Sequence, residues 1–177
     1  MQDEVIRAAQ QLSRAAFVAT HPQAFFVYGL TSTGFKTGYF PPVANRRLGP
    51  AATLRMPTVG AVMMATVGAA RGILAVTKSE RNLLDDLISI GRAPTCDMVL
   101  PDRGVSKLHA HFCRDAGGRW NVRDADSTNG TFVDGKRAAP GLKVPLAWGT
   151  SLRMAHCEGR FLDAERLFDM LNGVRVD

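Results

Sequence analysis

Residues 91–135 read GRAPTCDMVLPDRGVSKLHAHFCRDAGGRWNVRDADSTNGTFVDG, and they decide how the rest of the chain is interpreted. The stretch holds three polar clusters: Gly91-Arg92, Ser106-Lys107-Leu108-His109 and Ser127-Thr128-Asn129-Gly130-Thr131. Each cluster lies beside a short apolar run of strand character. Each also carries groups that can donate hydrogen bonds or positive charge to an anion. The stretch therefore predicts a strand-rich fold with loops suited to an anionic ligand.

Short β-prone runs separated by turn residues extend over most of the C-terminal part of the chain. They fall at 73–77, 87–90, 97–100, 108–113, 119–123, 131–133, 142–146, 151–155 and 159–162. Several short strands with frequent turns favour an all-β sandwich. Residues 140–148 contain two prolines, so we expect irregular or edge strands there. A helical pattern at 80–86 predicts a connection between the first two strands.

Helical patterns occupy both ends of the chain. Residues 3–19 place apolar side chains at three- and four-residue steps without Gly or Pro, which predicts one helix. We interpret this helix as a cover for the protein's own core rather than a docking element. Near the C-terminus, Asp163 is a suitable N-cap and Gly173 a suitable helix end, with Leu167 on the apolar face between them.

The length of 177 residues favours one domain with an extension, and the composition is that of a globular protein. The net charge of +6 is concentrated in residues 1–71, where seven Lys or Arg and two Asp or Glu give +5. These charges are scattered and no nucleic-acid-binding motif accompanies them, so no nucleic-acid partner is expected. Residues 57–76 are the closest approach to a membrane span, but Arg71 and several Gly and Pro interrupt them, so no span is predicted.

The cysteines and the first residues bear on the cell compartment. Cys96, Cys113 and Cys157 are odd in number and lack CxxC spacing, so we interpret them as reduced thiols. Asp3 and Glu4 open the sequence where a secretory signal would carry positive charge before an apolar run. We therefore expect a cytoplasmic protein.

The order and spacing of the three polar clusters resemble the pattern of the forkhead-associated (FHA) domain, here of a bacterial type. The pattern is Gly-Arg, then Ser-x-x-His, then Ser-x-Asn-Gly-Thr. The resemblance covers about residues 72–160, half of the chain. It implies a mainly β fold, an FHA-type sandwich of about eleven strands, at 72–160. Residues 1–71 would be an N-terminal extension of unknown role with a helix at about 3–19, and 161–177 a short C-terminal helix packed on the sandwich.

The resemblance also implies a function and a set of site residues. FHA domains bind phosphothreonine peptides, so the expected partner is a phosphothreonine-containing protein, either a Ser/Thr kinase or a kinase substrate. The implied phosphopeptide-binding residues are Arg92, Ser106, Lys107, Thr128 and Asn129. The implied structural residues of the motif are Gly91, His109, Ser127 and Gly130. We assign Gly91, Gly130 and Gly135 to turns that need positive φ.

Other functions are less consistent with the sequence. Ser106 and His109 could be misread as a nucleophile and its base, but no third group is positioned, so no enzyme and no cofactor are predicted. His109, His111 and Cys113 alternate along one strand, and we interpret them as surface residues rather than a metal site. The alternative function is a phosphate-independent FHA-like scaffold or adaptor acting through the sandwich face or residues 1–71. The sequence leaves open whether residues 1–71 complete the sandwich.

Overall fold

The computed structural model describes residues 2–21, 24–30, 72–84 and 86–173. These residues contain three helices, α1 (Gln2–Gln11), α2 (Arg14–Thr20) and α3 (Ala164–Asn172). They also contain eleven strands, which are β1 (Phe25–Leu30), β2 (Gly72–Ala75), β3 (Leu87–Gly91), β4 (Met98–Val99), β5 (Ala110–Arg114), β6 (Trp120–Asp124), β7 (Thr131–Val133), β8 (Lys136–Arg137), β9 (Lys143–Pro145), β10 (Ser151–Met154) and β11 (Cys157–Leu162).

The strands form two sheets that face each other. One sheet has six strands in the order β2-β1-β11-β10-β7-β8, and the other has five in the order β4-β3-β5-β6-β9. Alternate side chains of both sheets, among them Phe26, Ile90, Phe112, Val122 and Leu152, meet in one apolar core. The mainly β prediction with about eleven strands is confirmed. Strand β9 lies at a sheet edge, as expected for the proline-containing segment.

The three helices cover the outer face of the six-stranded sheet. Phe25 and Val27 of β1 point away from the sandwich core and pack in a second apolar cluster with Phe17 of α2 and Leu167 of α3. Phe17 and Leu167 have no exposed surface. Complete burial of such a side chain stabilises a fold by about 1.5–3 kcal/mol, so the helices belong to the same folded unit as the sheet.

Strand β1 answers the question that the sequence left open. It pairs with β2 on one side and with β11 on the other, so Phe25 has Ala75 and Leu162 as its two cross-strand neighbours. The six-stranded sheet therefore includes a strand that precedes residue 72. A strand between two others has its hydrogen-bonding groups satisfied on both edges, and it cannot leave without opening the sheet.

Two local predictions need correction. The single helix predicted over residues 3–19 is two helices, because Ser13 leaves the helical conformation and its Oγ caps α2 by accepting a hydrogen bond from the Ala16 amide at 3.3 Å. Residues 80–84 form turns rather than a helix. Asn82 explains this, because its Nδ2 donates to the carbonyl of Leu87 and to the carboxylate of Asp97 instead of pointing into solvent.

The C-terminal helix α3 has the caps expected from the sequence. The Asp163 carboxylate accepts a hydrogen bond from the Arg166 amide at 2.8 Å, and Gly173 ends the helix with a φ of 83°. Across the described ranges, no helix has the length and apolar character needed to cross a bilayer.

Candidate functional site

The loops β3–β4, β4–β5 and β6–β7 surround an open cleft of about 440 Å³. All five predicted binding residues line it, namely Arg92, Ser106, Lys107, Thr128 and Asn129. The other lining residues are Arg103, Gly104, Val105 and Leu108. Residues from three loops thus share one surface, although the first and last are far apart in sequence.

Ser106 connects all three loops. Its carbonyl accepts a hydrogen bond from the Arg92 amide at 2.9 Å, and its Oγ accepts one from the Thr128 amide at 3.1 Å. Its own amide donates to Nδ1 of His109 at 3.1 Å. A hydroxyl that accepts one backbone hydrogen bond still has a proton to donate, so Ser106 can offer that proton to a ligand in the cleft.

Positive charge gathers on the cleft wall. Nε of Arg92 donates to the Val105 carbonyl at 3.2 Å, which holds the side chain against the β4–β5 loop. Arg103 and Lys107 add two further cations, and none of the lining residues is acidic. The sequence prediction missed Arg103, which lies between two motif clusters and belongs to neither. The charge and the donors together suit a ligand with more than one negative charge.

Asn129 closes the cleft from the β6–β7 loop. Its Nδ2 donates to the Gly104 carbonyl at 2.8 Å, so the side-chain amide is held in a fixed orientation against the β4–β5 loop. The amide retains its oxygen and a second N–H, which are an acceptor and a donor for a peptide main chain. Thr128, which precedes it, is exposed and places its hydroxyl 3.5 Å from Ser106 Oγ.

His109 lies beneath the cleft rather than in it. The ring is fully buried, with Nδ1 accepting from the Ser106 amide and Nε2 lying 3.2 Å from the Gly130 carbonyl. Because Nδ1 accepts, the neutral ring carries its proton on Nε2, which donates to Gly130. Burial lowers the pKa of His109, although the Gly130 hydrogen bond and the Asp124 carboxylate oppose this. The contacts agree with the bracing role that the resemblance implies.

Asp124 organises the β6–β7 loop, and the sequence prediction missed it. Its buried carboxylate accepts hydrogen bonds from the Ser127 amide at 3.0 Å, the Ser127 hydroxyl at 2.7 Å and the Thr131 hydroxyl at 2.6 Å. Burial alone would raise the pKa of Asp124, but the hydrogen bonds from Thr131 and Ser127 outweigh it and hold the pKa below its usual range. The signal was present, because an Asp followed by Ser and Thr at loop spacing is typical of side-chain-stabilised turns.

The two motif glycines have different reasons to be glycine. Gly130 has a φ of 77°, as predicted. The same assignment for Gly91 is wrong, because Gly91 is an ordinary residue of strand β3 without positive φ. A Cβ on Gly91 would lie 2.3 Å from the carbonyl oxygen of Lys107, so the missing side chain lets the β4–β5 loop pack directly on the strand.

The alternating His109, His111 and Cys113 are not surface residues as predicted. Cys113 is 1% exposed and His111 is partly buried. Burial raises the pKa of the Cys113 thiol, which disfavours the thiolate that a metal would need. The described ranges contain no group of three or more His, Cys, Asp or Glu side chains that could hold a metal ion.

The sequence of this chain is similar to a known protein family and to two of its members. The family model of the FHA domain matches residues 88–155. The chain is 35% identical over 80 residues to FHA domain-containing protein FhaB of Mycobacterium tuberculosis, covering 45% of this chain and 50% of that protein. It is 31% identical over 105 residues to FhaB of Mycolicibacterium smegmatis, covering 49% of this chain and 67% of that protein. The chain thus spans about half the length of its curated relative from M. tuberculosis.

Similarity extends to solved structures. One comes from a structural and functional analysis of phosphothreonine-dependent FHA domain interactions. It is 28% identical to this chain and has a TM-score of 0.43, with 54% of this chain and 86% of that chain covered.

Proposed function

We propose that this chain, which belongs to the family of FHA-domain proteins, is a phosphothreonine-dependent binding module that recruits a partner phosphorylated by a Ser/Thr kinase. The observation that carries the proposal is the convergence of Arg92, Ser106, Lys107, Thr128 and Asn129 on one cleft. The partner is a kinase or a kinase substrate that carries the phosphothreonine.

The charges and donors of the cleft match the ligand. A phosphothreonine carries close to two negative charges at neutral pH and three acceptor oxygens. Arg92 and Lys107 provide two positive charges, and the guanidinium of Arg92 can engage two phosphate oxygens at once. Ser106 provides a hydroxyl donor, and Asn129 provides an amide that can pair with a peptide main chain whatever its side chains.

The proposal includes no catalytic step. His109, the candidate base beside Ser106, is buried and both of its ring nitrogens face hydrogen-bonding partners. A general base must reach the proton that it removes, and this ring reaches the backbone instead. We place the activity in the cytoplasm, where kinases meet their substrates. We further propose that the sandwich of residues 72–160, strand β1 and the helices act as one binding unit.

Calorimetric titration of the full chain with a phosphothreonine peptide tests the proposal. The peptide is first selected from a degenerate phosphothreonine library, and its unphosphorylated form serves as the ligand control. Arg92→Ala should weaken binding by about 2–5 kcal/mol, the loss expected when one partner leaves a charge-assisted pair. Arg119→Ala removes one exposed arginine from the β5–β6 turn and should leave the affinity unchanged. A folded Arg92→Ala variant with full affinity would rule out this cleft as the site.

A further inference from the structure

Three basic side chains stand in one row across the five-stranded sheet: His111 on β5, Arg123 on β6 and Lys143 on β9. The strand register places His111 directly opposite Arg123, and Arg123 directly opposite Lys143. Val122 and Val144, their neighbours along the strands, pack on the sandwich core. Because side chains alternate along a strand, the basic row lies on the outer face of the sheet.

The basic row lacks acidic partners. Arg119, which is also exposed, forms an ion pair with Asp115 at 2.9 Å. Arg123 and Lys143 are exposed, and neither forms an ion pair or hydrogen bond with any residue of the described ranges. Like charges directly opposite each other on neighbouring strands destabilise a sheet. The free protein therefore maintains an unfavourable arrangement at this place.

His111, the third residue of the basic row, has a ring nitrogen without a hydrogen-bond partner in the described part of the chain. Its Nδ1 is buried and has no hydrogen-bond partner among the described residues. Burial lowers the pKa of His111, and the nearby charge of Arg123 lowers it further, whereas Asp97 opposes the shift. The Asp97 carboxylate is already occupied by hydrogen bonds from Ser79 and Ser89. The charge of Asp97 acts on His111, but Asp97 forms no ion pair with Arg123 or Lys143.

The long connection between β1 and β2 cannot supply a counter-charge to the basic row. Residues 31–71 contain five Lys or Arg and no Asp or Glu. No described carboxylate forms an ion pair with Arg123 or Lys143 either, so these two cations are open to an anion from another molecule. None of the three residues of the row lines the phosphopeptide cleft.

We propose that the basic row is a second interaction surface, which binds an acidic peptide segment of a protein partner without any need for a phosphate. Neighbouring strands are about 4.8 Å apart, so the three side chains span about 10 Å. An extended segment places alternate side chains about 7 Å apart, and two of its carboxylates can reach Arg123 and Lys143 together. This surface is separate from the phosphopeptide cleft, and its function does not depend on the cleft.

Fluorescence anisotropy with a labelled oligoglutamate peptide and the full chain tests the proposal. The double variant Arg123→Ala/Lys143→Ala should weaken binding about fivefold or more at low salt. Arg7→Ala/Arg119→Ala removes the same two charges from other exposed positions and should change the affinity less than about twofold. Arg92→Ala/Lys107→Ala, which disables the cleft, should also leave oligoglutamate binding in place.

The outcomes separate the proposal from its competitors. Equal weakening in all three double variants would show that net charge alone attracts the peptide, and it would overturn the proposal. Loss of binding only in Arg92→Ala/Lys107→Ala would move the acidic peptide to the cleft and overturn it equally. An oligothymidine that competes with oligoglutamate and binds the basic row more tightly would identify a nucleic-acid surface instead.

A charge reversal gives a second, independent readout. Lys143→Glu places an acid opposite Arg123, so the melting temperature should rise by about 1–4 °C as repulsion becomes attraction. The same variant should lose oligoglutamate binding. Stabilisation together with lost binding would support the proposal, because the charge that costs stability would then be the charge that binds the peptide. A Lys143→Glu variant that keeps its affinity for oligoglutamate would contradict it.

Discussion

The backbone N–H of Ser106 donates a hydrogen bond to Nδ1 of His109 at 3.1 Å, while Nε2 of the same ring lies 3.2 Å from the Gly130 carbonyl. One imidazole thus joins the β4–β5 loop to the β6–β7 loop. A doubly protonated ring would direct an N–H at the N–H of Ser106, so the bracing contact exists only for the neutral ring.

Mild acid should therefore destabilise the chain through His109. Burial lowers the pKa of this residue in the folded state, whereas the unfolded chain titrates near 6.5. Below about pH 6.5 the unfolded chain binds more protons, so the free energy of unfolding falls until the folded-state pKa is reached. Urea unfolding between pH 7.5 and pH 5 measures this slope, and His109→Gln should flatten it.

A matched variant separates His109 from its neighbour. His111 also has a lowered pKa, so His111→Gln should remove only its own share of the slope. If His109→Gln leaves the pH dependence unchanged while His111→Gln abolishes it, protonation of His109 is not the cause of the acid destabilisation. Phosphopeptide affinity is a less direct readout, because the phosphate takes up its second proton near pH 6.

Gly91→Ala should damage the cleft from a distance. The new Cβ would lie 2.3 Å from the Lys107 carbonyl oxygen, so the β4–β5 loop must move away from β3. We expect a loss of about 1–3 kcal/mol in unfolding free energy and weaker phosphopeptide binding. Gly117→Ala is the control, because the nearest atom to its Cβ would be a side-chain oxygen of Asp115 at 3.3 Å rather than a backbone atom at 2.3 Å. Comparable stability of the two variants would contradict the account of Gly91.

Asp97→Asn should reveal how the β2–β3 connection is held. The carboxylate accepts hydrogen bonds from the amides and hydroxyls of both Ser79 and Ser89 at 2.7–2.8 Å. These bonds outweigh burial and keep the pKa of Asp97 well below its usual range. Replacing this charged acceptor should cost about 1.5–3 kcal/mol of unfolding free energy.

Acid removes the stabilisation due to Asp97, as it does that due to His109, but over a lower pH range. Because the folded-state pKa is depressed, the stabilisation is complete above the unfolded value of about 3.9 and is lost as the pH falls further. The stability difference between wild type and Asp97→Asn should thus shrink between about pH 4 and pH 2. A constant difference across that range would show that the negative charge is not what the serines require.

Phosphothreonine should be preferred to phosphoserine. Val105 and Leu108 line the cleft on either side of Ser106 and Lys107, so apolar surface lies beside the phosphate donors. One buried methyl group is worth about 1–3 kcal/mol, or roughly 10- to 200-fold in affinity. Matched peptides that differ only in this methyl measure the preference, and Leu108→Ala should reduce it. Equal affinities would leave an anion site without the selectivity that we propose.

The local pattern of apolar and polar residues was sufficient to predict most strands, but not all of them. Strands such as β5 carry alternating apolar side chains, with Ala110 and Phe112 in the core, and the sequence places them correctly. Strand β8 consists of the exposed Lys136 and Arg137, so no apolar signal marks it. The place of β1 between β2 and β11 depends on pairing with Leu162, which no window of sequence contains.

The residues of the cleft were likewise predictable only in part from local sequence. The three motif clusters predicted five of the nine residues that line it, because loop chemistry is readable at fixed spacing. The role of Gly91 was misjudged, since the atom that approaches it belongs to Lys107 and comes close only in the folded chain. The sequence did not identify Asp124 and Arg103 as site residues, for a related reason. Each acts on residues that folding brings near, and neither belongs to a motif.

The position of β1 beside β2 has a further consequence for engineering. The two strands are antiparallel, and Tyr28 stands opposite Gly72, so the connection of residues 31–71 leaves and re-enters the sheet at adjacent points. A turn of about two residues would suffice to join such strands. Doubling the length of a flexible connection costs only about 0.6 kcal/mol. We therefore expect a short turn or a foreign domain in place of residues 31–71 to leave the pairing of both strands intact.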